Sequence, residues 1–338
     1  MNQYIGHEHQ IRGVERYVLQ EGKGAGLHIL QVRNGNGLEI HISADRCADI
    51  SRMALNGVNL GYFSPCGYVS PQYYDKEGTG FLRSFTAGFM TTCGLTAVGT
   101  PCVDGDETLP LHGTIGNTPA TVTVCEETEE GVRIKAVVRD AYLFARKLVL
   151  TREYFISYGS NRVTLHDTVV NEGSAETPIM LLYHCNMGYP LLDEDTEVVI
   201  PNHGVVPRDA EAAKYADTAL RMEPPQPGFA ERCYYYDAKE TGGASAAGAY
   251  QAKREVGVVI SYDRTALDRL VEWKMMGTTD YVLGLEPGNC TPDGRDVLRS
   301  RGELKFLQPG ERYETHLSFT LCSDHQTFQK ALETPVCR

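Results

Sequence analysis

Polar side chains interrupt two apolar runs at places where proton transfer could take place. In LLYHCNMGYP (residues 181–190), His184 and Asn186 are expected to break an apolar strand, and in YVLGLEPGNCTP Glu286 is expected to end another. An imidazole exchanges protons near neutral pH, and burial raises the pKa of a carboxyl group toward the range of a general base. Taken singly, each residue also fits a structural role: His184 bonded to the backbone, or Glu286 in a salt bridge at a rim.

Other residues have the chemistry to bind a polyhydroxyl ligand. Arg83 stands in the apolar, glycine-rich segment GFLRSFTAGFMTTCGL, where a buried guanidinium needs several acceptors, as a polyhydroxyl ligand or a carboxylate would supply. His112, in LPLHGTIGNTPA, precedes a glycine that permits a tight turn toward a cleft, although a core histidine fits equally. The only tryptophan, Trp273, lies beside Lys274 in VEWKMMG, and an indole face stacks on sugar rings as readily as it packs in a core.

Local motifs for metals and phosphates are weak. In GHEH (residues 6–9) two histidines would share one strand face, but the flanks supply no further zinc ligands, so we interpret them as surface residues. EGKGAG is followed by a strand-like run rather than a helix, so it is interpreted as a turn. The ten cysteines contain no C-x-x-C pair. The sequence therefore predicts no metal site and no cofactor.

Composition restricts the class of protein. The 338 residues are 42% apolar and 22% charged, with a net charge of −12 and no basic cluster, which argues against nucleic-acid binding. The N-terminus lacks the pattern of a signal peptide, and no run approaches the ~20 apolar residues of a membrane span. We therefore expect a soluble, cytoplasmic protein with free thiols, a small-molecule ligand and no membrane partner. The sequence allows a homodimer but does not specify one.

Strand and turn signals recur along the chain. Alternating runs flank Asn34-Gly35-Asn36-Gly37, a strong hairpin signal, and similar hairpins are expected around residues 129–131 and 159–161. Further strands are predicted in REVGVVISYD, YVLGLEP and RYETHLSFTL, whereas helices are expected only at residues 209–221 and 323–333. Because no βαβ alternation is present, the pattern predicts an all-β fold, a large antiparallel β-sandwich with a few short helices. No linker divides the chain, so one domain over residues 1–338 is expected.

The order of these residues resembles the aldose 1-epimerase (galactose mutarotase) superfamily. Arg83 is followed by LHGTIG with His112, by LLYHCNMGYP with His184, and by LGLEP with Glu286. The segments ISADRCADI, TTCGL, YHCNMGYPLLDE, VEWKMMGTTDYVLGLEP and FLQPGERYETHLSFTL are similar to a branch of the superfamily whose members mostly have no characterised function. The resemblance covers roughly residues 26–321, the expected core of the domain. It implies a galactose mutarotase-like supersandwich that holds a sugar on a concave sheet.

The resemblance also implies roles for individual residues. Glu286 falls on the base that takes the proton of the anomeric hydroxyl, and His184 on the acid that protonates the ring oxygen. His112 and Arg83 fall on sugar-binding positions. The aspartate that binds sugar hydroxyls in the family has only a positional counterpart, Asp237 in CYYYDAKETGG.

Two departures from the family pattern leave the sugar open. This chain has His-Gly-Thr where the family tends to have HGG, and CNMGYP follows the histidine where YFNL is usual. Asn186, Trp273 and Lys274 join the expected substrate-binding set, and neither galactose nor glucose is assumed. A mutarotase needs only an acid and a base on one hemiacetal, hence no metal.

Two alternative functions are compatible with the sequence. The same pair could serve an epimerase, isomerase or lyase that acts beside a keto group of a modified sugar, which product analysis would distinguish. A non-catalytic carbohydrate-binding protein would keep the binding residues but would not need both His184 and Glu286. Replacement of Glu286 by glutamine separates a binding protein from an enzyme, since only the enzyme would lose turnover.

Overall fold

Antiparallel strands make up most of the computed structural model, which describes residues 3–337. The first strands in chain order are β1 Gly13–Val18, β2 His28–Arg33, β3 Leu38–Ser43, β4 Asp49–Leu55, β5 Val58–Asn59, β6 Tyr62–Phe63, β7 Ala87–Gly88, β8 Met90–Leu95, β9 Cys102–Asp104, β10 Glu107–Leu109, β11 Thr121–Glu127 and β12 Gly131–Ala141. The remaining strands are β13 Lys147–Ser157, β14 Arg162–Asn171, β15 Thr177–Met187, β16 Glu197–Val199, β17 Asn202–Pro207, β18 Arg232–Ala238, β19 Ala244–Gln251, β20 Val256–Asp263, β21 Arg269–Met276, β22 Tyr281–Gly288, β23 Lys305–Leu307 and β24 Arg312–Cys322.

Two large sheets form the sandwich. The eight-stranded sheet has the order β11-β12-β13-β14-β24-β20-β19-β16, and the seven-stranded sheet has the order β17-β18-β21-β22-β15-β23, with β8 also paired to β15. A five-stranded meander, β1 to β5, and the small pairs β6–β7 and β9–β10 complete the strands. The all-β sandwich that the sequence predicted is confirmed.

The three predicted hairpins are present. β2 pairs with β3 around the Asn-Gly turn, and β11 with β12 and β13 with β14 follow the same scheme. On β14, alternate residues such as Val163 and Leu165 are fully buried while their neighbours face outward. This alternation is what a strand with one face on the core requires.

The core between the sheets contains a buried ionic network as well as apolar side chains. The Arg152 guanidinium lies 2.5 Å from Asp49 Oδ1 and 2.6 Å from Asp167 Oδ2, and it also donates to Thr92 Oγ1. Tyr183 of β15 donates to Asp167 at 2.7 Å. Because Thr92 lies on β8 and Tyr183 on β15, the network connects the two sheets beneath the strands that carry the site described below.

Helices are few, and one differs from prediction. Among residues 3–337 the α-helices are α1 Ala210–Ala213, α2 Arg295–Arg301 and α3 His325–Glu333. Short 3-10 turns occupy Glu8–Gln10, Gly22–Gly24, Pro71–Tyr73, Gly80–Arg83, Ile115–Asn117, Ala216–Thr218 and Ala252–Arg254. The prediction for residues 323–333 is confirmed, with Asp324 as N-cap.

The helix expected over residues 209–221 is wrong in length. Asp209 caps it as expected, but α1 ends at Ala213, since Ala212 is the only buried residue on it and so little packing favours its extension. The sequence did not predict α2, which is held by tertiary ion pairs: Arg295 and Arg299 both bind Asp104 at 2.6 Å. No helix within residues 3–337 has the length and apolar character to cross a membrane.

Candidate active site

A cavity of about 300 Å³ lies on the face of the seven-stranded sheet that points away from the other sheet. Its floor comes from the strands, with His184 on β15, Glu286 on β22, Trp273 on β21 and Cys233 on β18. The residues that alternate with them, such as Tyr183 and Leu285, belong to the main core. Loops cover this outer face, so β15 is buried on both sides.

Strands β15 and β22 place His184 and Glu286 opposite each other. The flanking pairs Cys185–Leu285 and Leu182–Gly288 fix the register. His184 Nε2 lies 3.1 Å from Glu286 Oε1, without the geometry of a hydrogen bond. Among the described residues, Glu286 Oε1 and His184 Nδ1 have no hydrogen-bond partner although both atoms are buried. Buried polar atoms without partners are costly, so they are suited to bind a ligand that supplies those bonds.

These two residues lie within their strands, which corrects the sequence interpretation. His184 was expected to break an apolar strand and Glu286 to end one, but β15 continues to Met187 and β22 to Gly288. Polar residues are tolerated there because the strand face they occupy lines a cavity. The register, rather than a strand end, brings them together.

Burial shifts the pKa values of the pair in opposite directions. Loss of solvent raises the pKa of Glu286 well above 4.5, with the Glu231 charge adding to the shift and Arg208 opposing it. Loss of solvent lowers the pKa of His184 to about 3, with His112 adding to the shift and Asn186 opposing it. The buried pair therefore holds a single proton between the lowered pKa of His184 and the raised pKa of Glu286.

His112 lies beside the pair in a strained backbone conformation. Its φ is 58°, and its ring lies 5.5 Å from that of His184, measured between centroids. Its Nδ1 accepts a hydrogen bond of 3.3 Å from the Gly99 amide, which leaves the proton of the neutral ring on Nε2. Burial lowers the pKa of His112 to about 4, so the ring is neutral near pH 7. Such a ring offers a hydrogen-bond donor without a charge.

A glycine is required next to His112. Gly113 has φ of +72°, and a Cβ there would lie 2.3 Å from Gly94 O and 2.6 Å from Ala97 O. The two consecutive left-handed residues pack the turn against β8 and the segment that follows it. This turn is what holds the His112 ring in the cavity wall.

Aromatic rings surround the two histidines. The His184 ring lies 5.4 Å from Phe85 and 5.2 Å from Trp273, and the His112 ring lies 5.3 Å from Phe81. These rings exclude water from the floor, which is why burial dominates both histidine pKa shifts. They also offer apolar faces against which a sugar ring can pack.

A glycine beside the glutamate leaves room for its carboxyl group. A Cβ on Gly284 would lie 2.4 Å from Glu286 Oε1 and 3.2 Å from Trp273 Cβ. Any side chain at position 284 would therefore displace the carboxyl group toward another rotamer. Gly284 thus sets the position of Glu286.

Two charged residues of the cavity were not found by the sequence analysis. Arg208, just after β17, donates from Nη2 to Glu231 Oε1 at 2.9 Å, and Trp273 Nε1 donates to Glu231 Oε2 at 3.0 Å. Glu231 therefore bridges the arginine and the indole at the cavity wall. Neither residue lies in a motif, since Arg208 adjoins the Asp209 cap and Glu231 precedes β18; only the fold brings them together.

Arg83 does not lie where the sequence suggested. Phe81 and Leu82 of the same turn line the cavity, but the Arg83 side chain is 81% exposed and pairs with Asp75 at 3.6 Å. The expectation of a buried guanidinium is therefore wrong. In the turn Gly80–Arg83, Phe81 is buried, whereas Leu82 is mostly exposed at the cavity and Arg83 points toward water. Arg208 is the arginine that lines the cavity.

Three other predicted ligand-binding residues lie outside the cavity lining. Lys274 alternates with Trp273 along β21, so it points to the opposite face, where it is fully buried and lies 2.7 Å from Glu223 Oε2. Asp237 is at the far end of β18, 65% exposed and paired with Arg264 at 3.4 Å. Asn186 is buried on the same side as His184 and donates to its carbonyl oxygen at 2.9 Å, a contact that orients the strand.

Solved structures share this architecture. A candidate aldose 1-epimerase from Klebsiella pneumoniae aligns with a TM-score of 0.89 and 27% identity, over 95% of this chain and 86% of that one. A galactose mutarotase-like protein from Clostridium acetobutylicum aligns with a TM-score of 0.66 and 16% identity, over 92% of this chain and 98% of that one. A galactose 1-epimerase from Lactobacillus acidophilus aligns with a TM-score of 0.62 and 16% identity, over 92% of this chain and 98% of that one. The fold is therefore that of the galactose mutarotase-like proteins.

The sequence itself matches one described family. A search of curated proteins finds no match. The family model of a domain of unknown function, DUF4432, matches residues 24–321, which is most of the chain. The chain belongs to the DUF4432 family and has the galactose mutarotase-like fold.

Proposed function

We propose that this protein is a mutarotase, an enzyme that interconverts the anomers of a sugar. The proposal rests on the contact between His184 and Glu286. In a cyclic sugar the anomeric hydroxyl oxygen and the ring oxygen are bonded to the same carbon. A base for one and an acid for the other must therefore lie side by side, as these two side chains do at 3.1 Å.

The chemical step needs one proton donor and one proton acceptor. Glu286, as the carboxylate, takes the proton from the anomeric hydroxyl, and an aldehyde forms at C1. The C1–ring oxygen bond breaks, its electron pair goes to the ring oxygen, and His184, as the imidazolium, supplies a proton there. Rotation about C1–C2 and the reverse transfers give the other anomer and restore both residues.

The protonation state of the buried pair suits this step. Burial favours the neutral acid and the neutral imidazole, a state that carries one proton between them. Transfer of that proton across the 3.1 Å contact gives the carboxylate and imidazolium without a net change of charge. A hemiacetal that bonds to both groups replaces the hydrogen bonds they lack and assists the transfer.

The other lining residues hold the sugar. The neutral His112 donates from Nε2 toward an oxygen next to the reacting centre, in keeping with its position beside His184. Glu231 and Arg208 supply an acceptor and a donor at the wall, and Trp273 supplies an apolar face. Because Arg208 is neutralised by Glu231 and Asp209, we infer an uncharged sugar.

Proton NMR of freshly dissolved single anomers tests the proposal directly. A panel of aldoses and ketoses is followed with and without protein, and the rate of anomer exchange is compared with that of the Glu286→Gln variant. Accelerated exchange that this variant abolishes supports a mutarotase and ranks the sugars. The absence of acceleration for every sugar contradicts it.

The same spectra distinguish the alternatives. In D₂O, deuterium on carbon or a new sugar signal would indicate an epimerase, isomerase or lyase that acts beside a keto group. Saturable binding without any exchange, unchanged in Glu286→Gln, would indicate a carbohydrate-binding protein. Each outcome leaves a different signal, so one experiment separates the three.

A further inference from the structure

A cluster of metal-ligating side chains lies on the opposite side of the molecule from the cavity. His166 on β14 and His316 on β24 are directly opposed in the register of the eight-stranded sheet. Both point to the outer face, because their neighbours Asp167, Thr315 and Leu317 are buried on the inner face. Glu314, two residues before His316, shares that outer face.

The ligand atoms of the three side chains lie close together. The two imidazole rings are stacked, with centroids 4.2 Å apart and an interplanar angle of 15°. His166 Nε2 lies 3.8 Å from Glu314 Oε2, and one ligand atom from each of the three residues lies within 4.8 Å of the others. Atoms bound to one zinc ion at about 2.0–2.2 Å are at most about 4.4 Å apart, so small rotamer changes complete the set.

One nitrogen of the cluster has an unmet bonding requirement. His166 Nε2 is excluded from water and has no hydrogen-bond partner among the described residues. The side chain as a whole is 37% exposed, and that of Glu314 is 51% exposed, so an ion can reach them from solvent. A shallow groove lined by His166, Thr164 and Glu153 provides the approach. An ion between the rings and the carboxylate would give that nitrogen its partner.

We propose that His166, His316 and Glu314 bind a divalent transition-metal ion of the zinc class. Two imidazoles and one carboxylate form a ligand set that such ions accept, with a position left open for water. The ion would join two neighbouring strands whose residues are far apart in the sequence. It would therefore stabilise the sandwich from a site separate from the sugar cavity. The sequence analysis expected no metal because it considered only ligands at local spacing.

Titration of the reduced, metal-free protein with Zn²⁺ in a calorimeter tests the site. We expect one ion per chain and a melting temperature that rises with Zn²⁺ concentration. His166→Gln and His316→Gln should each weaken binding by at least about tenfold and remove the thermal shift. The matched control is His203→Gln, an exposed histidine on β17 of the other sheet, which should bind like the wild type.

Absorption spectra with Co²⁺ identify the ligands. Nitrogen and oxygen ligands give visible bands alone, whereas binding by cysteine adds intense thiolate bands in the near ultraviolet. Thiolate bands, equal affinity in the two histidine variants and the wild type, or no stoichiometric binding at millimolar Zn²⁺ would each overturn the proposal. Anomer exchange by the histidine variants should equal that of the wild type, so failure of the metal site is separable from failure of the proposed mutarotase.

Discussion

His184 and Glu286 face each other across two antiparallel strands that are buried on both faces. The flanking register pairs set their separation, so neither residue depends on a loop for its position. A proton donor and a proton acceptor held in this way need little rearrangement to act on two oxygens of one carbon. The predictions below follow from this arrangement and from its surroundings.

Loss of either member of the pair should abolish most of the activity. We expect Glu286→Gln and His184→Ala each to lower turnover at least about a hundredfold, because each removes one of the two proton-transfer groups. Anomer exchange measured by NMR gives the rates, and circular dichroism verifies the fold. Glu272→Gln is the matched control, since Glu272 is an equally buried glutamate on β21 that faces the core. Near-normal rates in both folded site variants would contradict the assigned roles.

The pH dependence of turnover should differ from that of an ordinary histidine enzyme. Burial lowers the pKa of His184 to about 3 and raises that of Glu286 well above its ordinary value, so the pair keeps one proton between these two pKa values. As the pH falls, a second proton is added only near the lower limit; as it rises, the last proton leaves above the raised value. The His184 ring should therefore not titrate near its ordinary pKa of about 6.5 in an NMR titration of the histidine signals, and turnover should fall as the pH rises through the raised pKa of Glu286. A His184 signal that titrates near 6.5, or turnover that increases over that rise in pH, would contradict the shifts.

Gly284→Ala should impair catalysis without unfolding the protein. The added Cβ would lie 2.4 Å from Glu286 Oε1 and would displace the carboxyl group. A displacement of about 1 Å at a reacting group can cost about a hundredfold in rate. Gly204→Ala on β17 is the control, because no atom lies within 4 Å of a Cβ there. Equal turnover in the two variants would show that Glu286 tolerates the shift.

The two arginines should respond differently to substitution. Arg208 lines the cavity and holds Glu231, so Arg208→Gln should raise KM by about tenfold or more, the effect of losing a charge-assisted hydrogen bond. Arg83→Gln should leave KM and kcat within about twofold, since that side chain is 81% exposed. Steady-state kinetics of both variants make the comparison. The reverse pattern would restore Arg83 to the site through a movement of its turn.

Glu272 should make the free energy of unfolding depend on pH. Burial raises its pKa from 4.5 to about 7, so the folded state holds this proton more tightly than the unfolded state. The contribution of this proton to the free energy of unfolding is fully present below about pH 4.5 and is lost as the pH rises through about 7. Each pKa unit corresponds to about 1.4 kcal/mol. Glu272→Gln should remove this loss, so its stability relative to wild type, measured by urea unfolding, should be greater at pH 8 than at pH 5.

Much of the fold was predictable because its signals are local. Asn-Gly turns and alternating burial on β14 follow directly from residue type and a period of two. The helix α2 was missed since its ion pairs to Asp104 are tertiary, and α1 was predicted too long since a good cap does not supply packing. The strand ends assigned at His184 and Glu286 were wrong because a polar residue in a strand was interpreted as a stop rather than as part of a cavity wall.

The site was predicted in part. The sequence analysis selected His112, His184, Glu286 and Trp273, and all four line the cavity. It also selected Arg83, Asp237 and Lys274, whose side chains point elsewhere. The direction of a side chain depends on strand register and turn geometry, which a motif does not encode. Arg208 and Glu231 have no motif, so only the three-dimensional arrangement reveals them.

The division of the cavity into a strand-built floor and a loop-built cover separates chemistry from selectivity. The floor residues belong to strands packed on two sides, where a substitution disturbs the core. The cover includes Thr79, Leu82 and Thr100, which are exposed, so substitutions there disturb little packing. Under the proposed function, we expect substitutions in these loops to change which sugar is accepted. A library confined to those positions offers a direct route to altered sugar preference with the proton-transfer pair left intact.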